Sequence, residues 1–495
     1  MRTTYLYITL IALCLSSLLQ AAPRLSVVVM VDGLRQDNLQ RLQPYLRAGG
    51  LRLLAEQAEK ATVSFDNEVY GGCETVATLL TGEQPYIHGI AMDSCFSRSD
   101  RLIHPVLEDK AETPISATGP LSPRALLAPA IADRFRFRYG ENAHIYAVGQ
   151  TPATTILMAG HAADGCCWLD PMTEQWGTTS FYPAGLPAVA DECNVSGRIQ
   201  RAIDQEWMPR MDFPLYMSPT DNEQKKNGFH YRTHEPLHYT PAINTLIVEM
   251  TLQLRETFVL GGDDTPDLLL VQMTTRTPKA KSDYIASAEQ EDMYLALNQD
   301  LGFLIEQLQR AVGKENVDFF VVGVPRQGIS LQTLAASRMP VKTFYTDQAS
   351  ALTSAYLMAL YGQGQWVIGG YGTSLYLNRP LIEQKQMSLP TVQQQVADFL
   401  MDFEGVRIAQ PQHLAYLDPT IAATVSKKNA GDVIFHLQAG WQLAYNEQQA
   451  IDKVMEQQPT VPLLYLTHSH TLSLPDQTAE ATEIAGWILQ LIDKH

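Results

Sequence analysis

The chain has 495 residues, 45% of them hydrophobic and 28 of them proline, a composition that suits a globular protein with a large core and not a disordered one. Its formal net charge of −17 argues against nucleic acid or an anionic membrane as principal partner, since both need a cationic face. The length leaves room for several ordinary domains or for one elaborated α/β unit.

Met1 and Arg2 precede an apolar run from Tyr5 to Leu19, and Gln20-Ala21-Ala22 follows it. A charged start, an apolar middle and small residues at a cleavage site predict a signal peptide over 1–22. Leu13 before Cys14 lacks the small residue that a lipoprotein site needs. No other run reaches spanning length, so the expected mature chain is exported, without a transmembrane anchor, and periplasmic or outer-membrane associated. Cys73, Cys95, Cys166, Cys167 and Cys193 remain. An exported location permits disulfides, with Cys193 and one of Cys166 or Cys167, and Cys73 with Cys95, as candidate pairs.

Leu25 to Asp32 is a β-branched apolar run that reads as a strand buried on both faces. It ends in Asp32 and Gly33, at the strand end where open α/β sheets place ligands. Leu39 to Ala58 reads as helical around Gly49-Gly50, Ala61 to Phe65 as a strand, and Glu74 to Leu80 as a short helix. From about 92 to 239 prolines, cysteines and aromatics dominate, and this stretch is expected to form an insertion or cap over the strand ends. Thr240 to Phe258 then reads as a helix, Asp267 to Met273 as a strand, Glu291 to Val312 as an amphipathic helix and Asp318 to Val324 as a strand. That alternation predicts βαβ units. Ala351 to Leu360, Val392 to Phe403 and Val461 to Leu466 continue the rhythm.

Several ordered segments resemble the alkaline phosphatase superfamily, in particular its PafA-like branch with the related type I phosphodiesterases. They are Leu25 to Gly33, Gly49-Gly50-Leu51, Thr81 to Ile90, Ser122 to Ala128, Ala159 to Asp164 and Glu291 to Leu295. The resemblance implies a large, mainly parallel sheet flanked by helices, in one domain over 23–495. It also implies two zinc ions on Asp and His ligands and an attacking hydroxyl at a helix amino end.

Position by position, the implied chemistry is mostly missing. Asp32 matches the strand-end zinc ligand. The nucleophile position falls on Gly72, and further zinc ligands fall on Thr277, Lys281, Pro325 and Thr460. The phosphate-gripping Lys-x-Arg falls on Thr151 and Ala153, and the phosphate-binding Asn on Asp93. These substitutions make the chain resemble a pseudoenzyme, with no zinc or other cofactor expected and Lys281 in place to supply the lost positive charge. Asp32 is then a strand-end carboxylate capping nearby amides.

Other readings compete. In a shifted register Cys73 or Thr75 would attack. His230, His234 and His238 have the spacing of a metal-binding helix face, but Pro236 makes a loop there. His468 and His470 form a His-x-His pair in a polar loop, and Lys225-Lys226 is a short solvated stretch. The leading expectation is a non-catalytic phosphatase-like subunit with a protein partner in the cell envelope. The alternative is a zinc-dependent phosphomonoesterase or phosphodiesterase with a rearranged site. A third reading is a ligand pocket around Asp32, Arg276, Lys281 and Arg326.

Overall fold

The computed structural model describes residues 22–65, 71–218, 229, 237–277, 287–326, 338, 342–438, 440–449, 459–468 and 472–494. Most of the expected signal peptide, Lys225, Lys226, His230, His234, Lys281 and His470 lie outside them.

The chain runs through β1 (Leu25–Asp32), α1 (Gly50–Gln57), β2 (Glu59–Ser64), α2 (Cys73–Thr81), β3 (Pro114–Ile115), α3 (Ile131–Tyr139), β4 (Ile145–Gly149) and α4 (Pro152–Ala159). It continues through β5 (Gly165–Leu169), β6 (Trp176–Thr179), α5 (Pro241–Thr257), β7 (Asp267–Thr274), α6 (Ala288–Val312), β8 (Val317–Val324), β9 (Thr460–Leu466), β10 (Thr478–Glu480) and α7 (Ile484–Asp493). All ten strands join one sheet in the order β10-β2-β9-β8-β1-β7-β4-β5-β6-β3. The centre is parallel, with β1 between β7 and β8. Antiparallel pairs flank it, β8 with β9 on one side and β5 with β6 on the other. The expected α/β sheet flanked by helices is present, and its strands are mixed in direction.

All eight residues of β1 are buried, as a β-branched run between two helical layers should be. Val27, Val29 and Val31 face a core built with α1, α5 and α6. Val28 and Met30 face a second core built with α2, α3, α4 and α7. Side chains alternate along a strand, so Asp32 falls on the second side, towards α2 and α4. Leu268 and Leu270 of β7 also face that core, which turns Gln272 the same way.

Sequence signals set the helix ends. Ser287 caps α6 by accepting from Gln290 N at 3.3 Å, with Glu289 and Glu291 in the first turn, where the helix dipole favours acids. Gly82, at φ +74°, closes α2 in the left-handed conformation.

Two expectations change. The stretch 92–239, expected as a cap, contributes β3, β4, β5 and β6 to the sheet itself. Their short lengths and proline-rich surroundings hide them in the sequence. Residues 342–444 build a second lobe, with a four-stranded antiparallel sheet under helices Thr346–Tyr361 and Leu389–Leu400 and a core of its own. Asp432, buried in that lobe, receives Arg379 Nε at 2.7 Å and Arg98 Nη1 at 2.9 Å, which ties the lobe to the 94–105 hairpin.

The candidate disulfides are not formed, and the five described cysteines are thiols. Cys166 and Cys167 alternate across the sheet, so only Cys167 shares a core with Cys193. Cys73 opens α2, while Cys95 lies beside Tyr371 and Tyr376 of the second lobe. No described helix is long and apolar enough to cross a membrane.

Candidate functional site

The carboxyl ends of β1, β7 and β8 and the amino ends of α2 and α4 meet around Asp32. Asp32 is buried, and both its oxygens are engaged. Oδ2 accepts from Gln272 Nε2 at 2.8 Å, and Oδ1 accepts from Arg326 Nε at 2.9 Å. Gln272 also donates to Thr151 Oγ1 at 2.9 Å and accepts from Thr151 N at 3.1 Å, which fixes its amide.

Arg326 leaves the end of β8 through Pro325 and spreads its guanidinium across the site. Nη1 donates to Gly71 O at 3.2 Å and Nη2 to Thr154 Oγ1 at 2.5 Å. Burial works against its charge, but Asp32 and then Asp93 raise its pKa above the ordinary value, so it is a permanent cation. Gly71 permits this approach. At φ +72° it disfavours other residues, and a Cβ there would lie 2.7 Å from Arg326 Cα.

The nucleophile position is closed. A Cβ at Gly72 would sit 2.8 Å from Glu74 Oε2 and 2.9 Å from Asp93 Cγ. Asp93 Oδ1 accepts from Cys73 N at 2.7 Å, and Glu74 Oε1 accepts from Gly72 N at 3.1 Å. Two carboxylates therefore occupy the positive end of α2. The shifted-register nucleophiles are disarmed as well. Burial first, then Asp93, pushes the Cys73 thiol well above its ordinary value, and a protonated thiol is a poor nucleophile. Thr75 is buried and donates to Glu74 Oε1 at 3.1 Å.

Burial, and then the charge of Asp93, raises the pKa of Glu74 above 4.5. An acid whose folded pKa is raised weakens the fold as pH climbs from its unfolded value through the folded one, and not below that window. The variant Glu74→Gln keeps an acceptor for Gly72 N. It should melt like the wild type at acid pH and above it at neutral pH; a difference independent of pH would contradict this.

The remaining positions do not converge on a metal. Thr277 and Pro325 are buried without a zinc-binding donor, and Thr460 is exposed at the start of β9. Among the described residues no group of three His, Cys, Asp or Glu side chains is arranged to hold a metal ion. Zinc requires such a set, and both oxygens of the retained carboxylate are taken, so the described residues do not fit the metal pair. Of the three spaced histidines, His238 is described, with its ring against the backbone. Burial lowers its pKa, and its Nε2 lies 2.7 Å from Leu169 O. His468 Nε2 lies 3.0 Å from Gln309 Nε2. Thr151 and Ala153 begin α4 beside Asp32 and line the same cavity, without the cationic side chains of a phosphate clamp.

The site thus combines the strand-end carboxylate of β1, the helix start after β2 and the turn after β8. The chain matches the type I phosphodiesterase / nucleotide pyrophosphatase family over residues 26–461. It belongs to that family. Within the alkaline phosphatase superfamily it falls in the PafA-like branch. Alkaline phosphatase PafA of Elizabethkingia meningoseptica is 22% identical over 95% of this chain and 91% of its own length. Alkaline phosphatase PhoV of Synechococcus elongatus is 22% identical over 85% and 81%. The crystal structure of wild-type PafA superposes with a TM-score of 0.82 at 22% identity, covering 96% of each chain, which establishes the shared fold.

This family member carries three residues whose role the sequence did not reveal. Arg326 is the cation on the retained carboxylate. Gln272 is the one amide in the otherwise apolar core of β7, and that misplaced polarity was the available signal. Glu74 was read only as a helix-end residue.

Proposed function

We propose that this is an exported, non-catalytic member of the phosphatase-like family, kept as a structural or interaction subunit with a protein partner in the cell envelope. One observation carries the reading: Arg326 holds Asp32 through its guanidinium, so a fixed positive charge sits on the carboxylate that would otherwise ligate zinc. The closed position at Gly72 supports it. The apolar start of the chain supports export.

The names of the relatives favour a second reading, a metal-dependent phosphomonoesterase or phosphodiesterase with a rearranged site. The two readings separate in one assay. Purified protein, supplied with zinc, is offered a chromogenic phosphate monoester and diester beside its Asp32→Ala variant. The non-catalytic reading expects no hydrolysis above the variant's background. Zinc-dependent turnover that Asp32→Ala removes would establish the hydrolase.

A further inference from the structure

Above Asp32 lies a cavity of about 490 Å3, within the size of small-molecule sites. Its walls are largely apolar, formed by Pro105, Val106 and Leu107 on one side and Pro120, Leu121 and Pro152 on the other. Most polar groups lining it are bound to one another. Arg326 is held by Asp32 and Thr154, and Glu108 Oε2 faces His104 Nδ1 at 2.7 Å.

Asp93 differs. It caps Cys73 N with one oxygen and its charge acts on Arg326, yet the residue is exposed and lines the cavity. Among the described lining residues, the carboxylates of Asp32, Asp93 and Glu108 outnumber the guanidiniums of Arg276 and Arg326 by one. Arg276 sits 5.6 Å over the Tyr239 ring. A phosphate ester would bring its charge against Asp93, with Glu74 close behind it. A ligand with an apolar body and a positive head matches both the walls and Asp93.

We propose that this cavity binds a small organic amine, its hydrocarbon body between the proline-rich walls and its ammonium on the Asp93 carboxylate. The inference rests on the non-catalytic reading, because zinc on the floor would reverse the local charge. A primary ammonium donates a charge-assisted hydrogen bond to Asp93 that an alcohol of the same shape cannot match. The apolar walls supply the sequence-independent part of the affinity.

The test titrates the full-length purified protein, stripped of metal, with 2-phenylethylammonium, 2-phenylethanol and phenyl phosphate in a calorimeter. The amine should saturate a single site at least about tenfold more tightly than the alcohol. In Asp93→Asn the preference should vanish while alcohol binding persists, since the amide oxygen can still cap Cys73 N. Phenyl phosphate binding as tightly as the amine, no saturable amine binding, or an undiminished preference in Asp93→Asn would overturn the inference. Zinc-stimulated hydrolysis of phenyl phosphate in the same preparation would overturn the non-catalytic reading itself. Absence of any amine preference in the wild type, without hydrolysis, would overturn the amine site alone.

Discussion

Arg326→Met should destabilise the protein by about 3–5 kcal/mol, the range for removing one partner of a buried ion pair. Methionine keeps much of the volume but leaves the Asp32 carboxylate, 2% exposed on its side chain, with only the Gln272 amide as a side-chain donor. It also leaves the backbone oxygen of Gly71 and the hydroxyl of Thr154 without their guanidinium donors. The loss should be conditional on the charge of Asp32. In the double variant Arg326→Met with Asp32→Asn no buried charge is stranded, so it should be more stable than Arg326→Met alone. Denaturation of the wild type, the two single variants and the double variant measures that coupling. Losses that simply add would contradict the ion pair as the support of the site.

The second large effect lies outside the cavity. Asp292, fully buried on α6, accepts from Trp207 Nε1 at 2.6 Å, Arg210 N and Nη1 at 2.7 Å each, and Tyr216 Oη at 2.6 Å. Its neighbour Glu291 accepts from Met217 N at 2.9 Å and Ser218 N at 2.7 Å. These two acids moor the 207–218 segment to the helix beside the sheet. Asp292→Ala should cost about 3–5 kcal/mol, because it strands the buried Trp207 and Tyr216 donors and a partly buried guanidinium at once. Burial and the Asp292 charge hold the Tyr216 hydroxyl far above its ordinary pKa, so that phenol stays a donor at any ordinary pH. Limited proteolysis should cut the variant first within 207–218, while Asp292→Asn, which keeps the acceptors, should resist better. Cleavage elsewhere, or a melt matching the wild type, would contradict this mooring role.

What the sequence reveals depends on how local the signal is. Leu25 to Asp32, Asp267 to Met273 and the helix ending at Val312 were legible because burial on both faces of a sheet, or on one face of a helix, leaves a pattern within a single segment. The strands Ile145–Gly149 and Gly165–Leu169 were hidden because each is short and lies among prolines and cysteines that suggest irregular structure. The second lobe was read only as a continuing rhythm, since its separate core depends on contacts between distant segments. At the site, Gly72 and Asp93 were singled out by correspondence. Lys281, expected to supply the lost positive charge, lies outside the described residues, and Arg326 is the cation found on Asp32. Which cation reaches depends on the turn through Pro325, and spacing along the chain does not carry that geometry.

Whether Asp32 holds a guanidinium or a metal decides between the non-catalytic protein and the hydrolase. Purified protein is equilibrated with excess zinc, freed of unbound ion and measured for bound zinc beside Asp32→Ala. The expected result is no retained zinc that depends on Asp32, because its two oxygens are already bound by Arg326 and Gln272. About two equivalents per chain, lost in Asp32→Ala, would mean that a two-metal phosphatase centre assembles here after all.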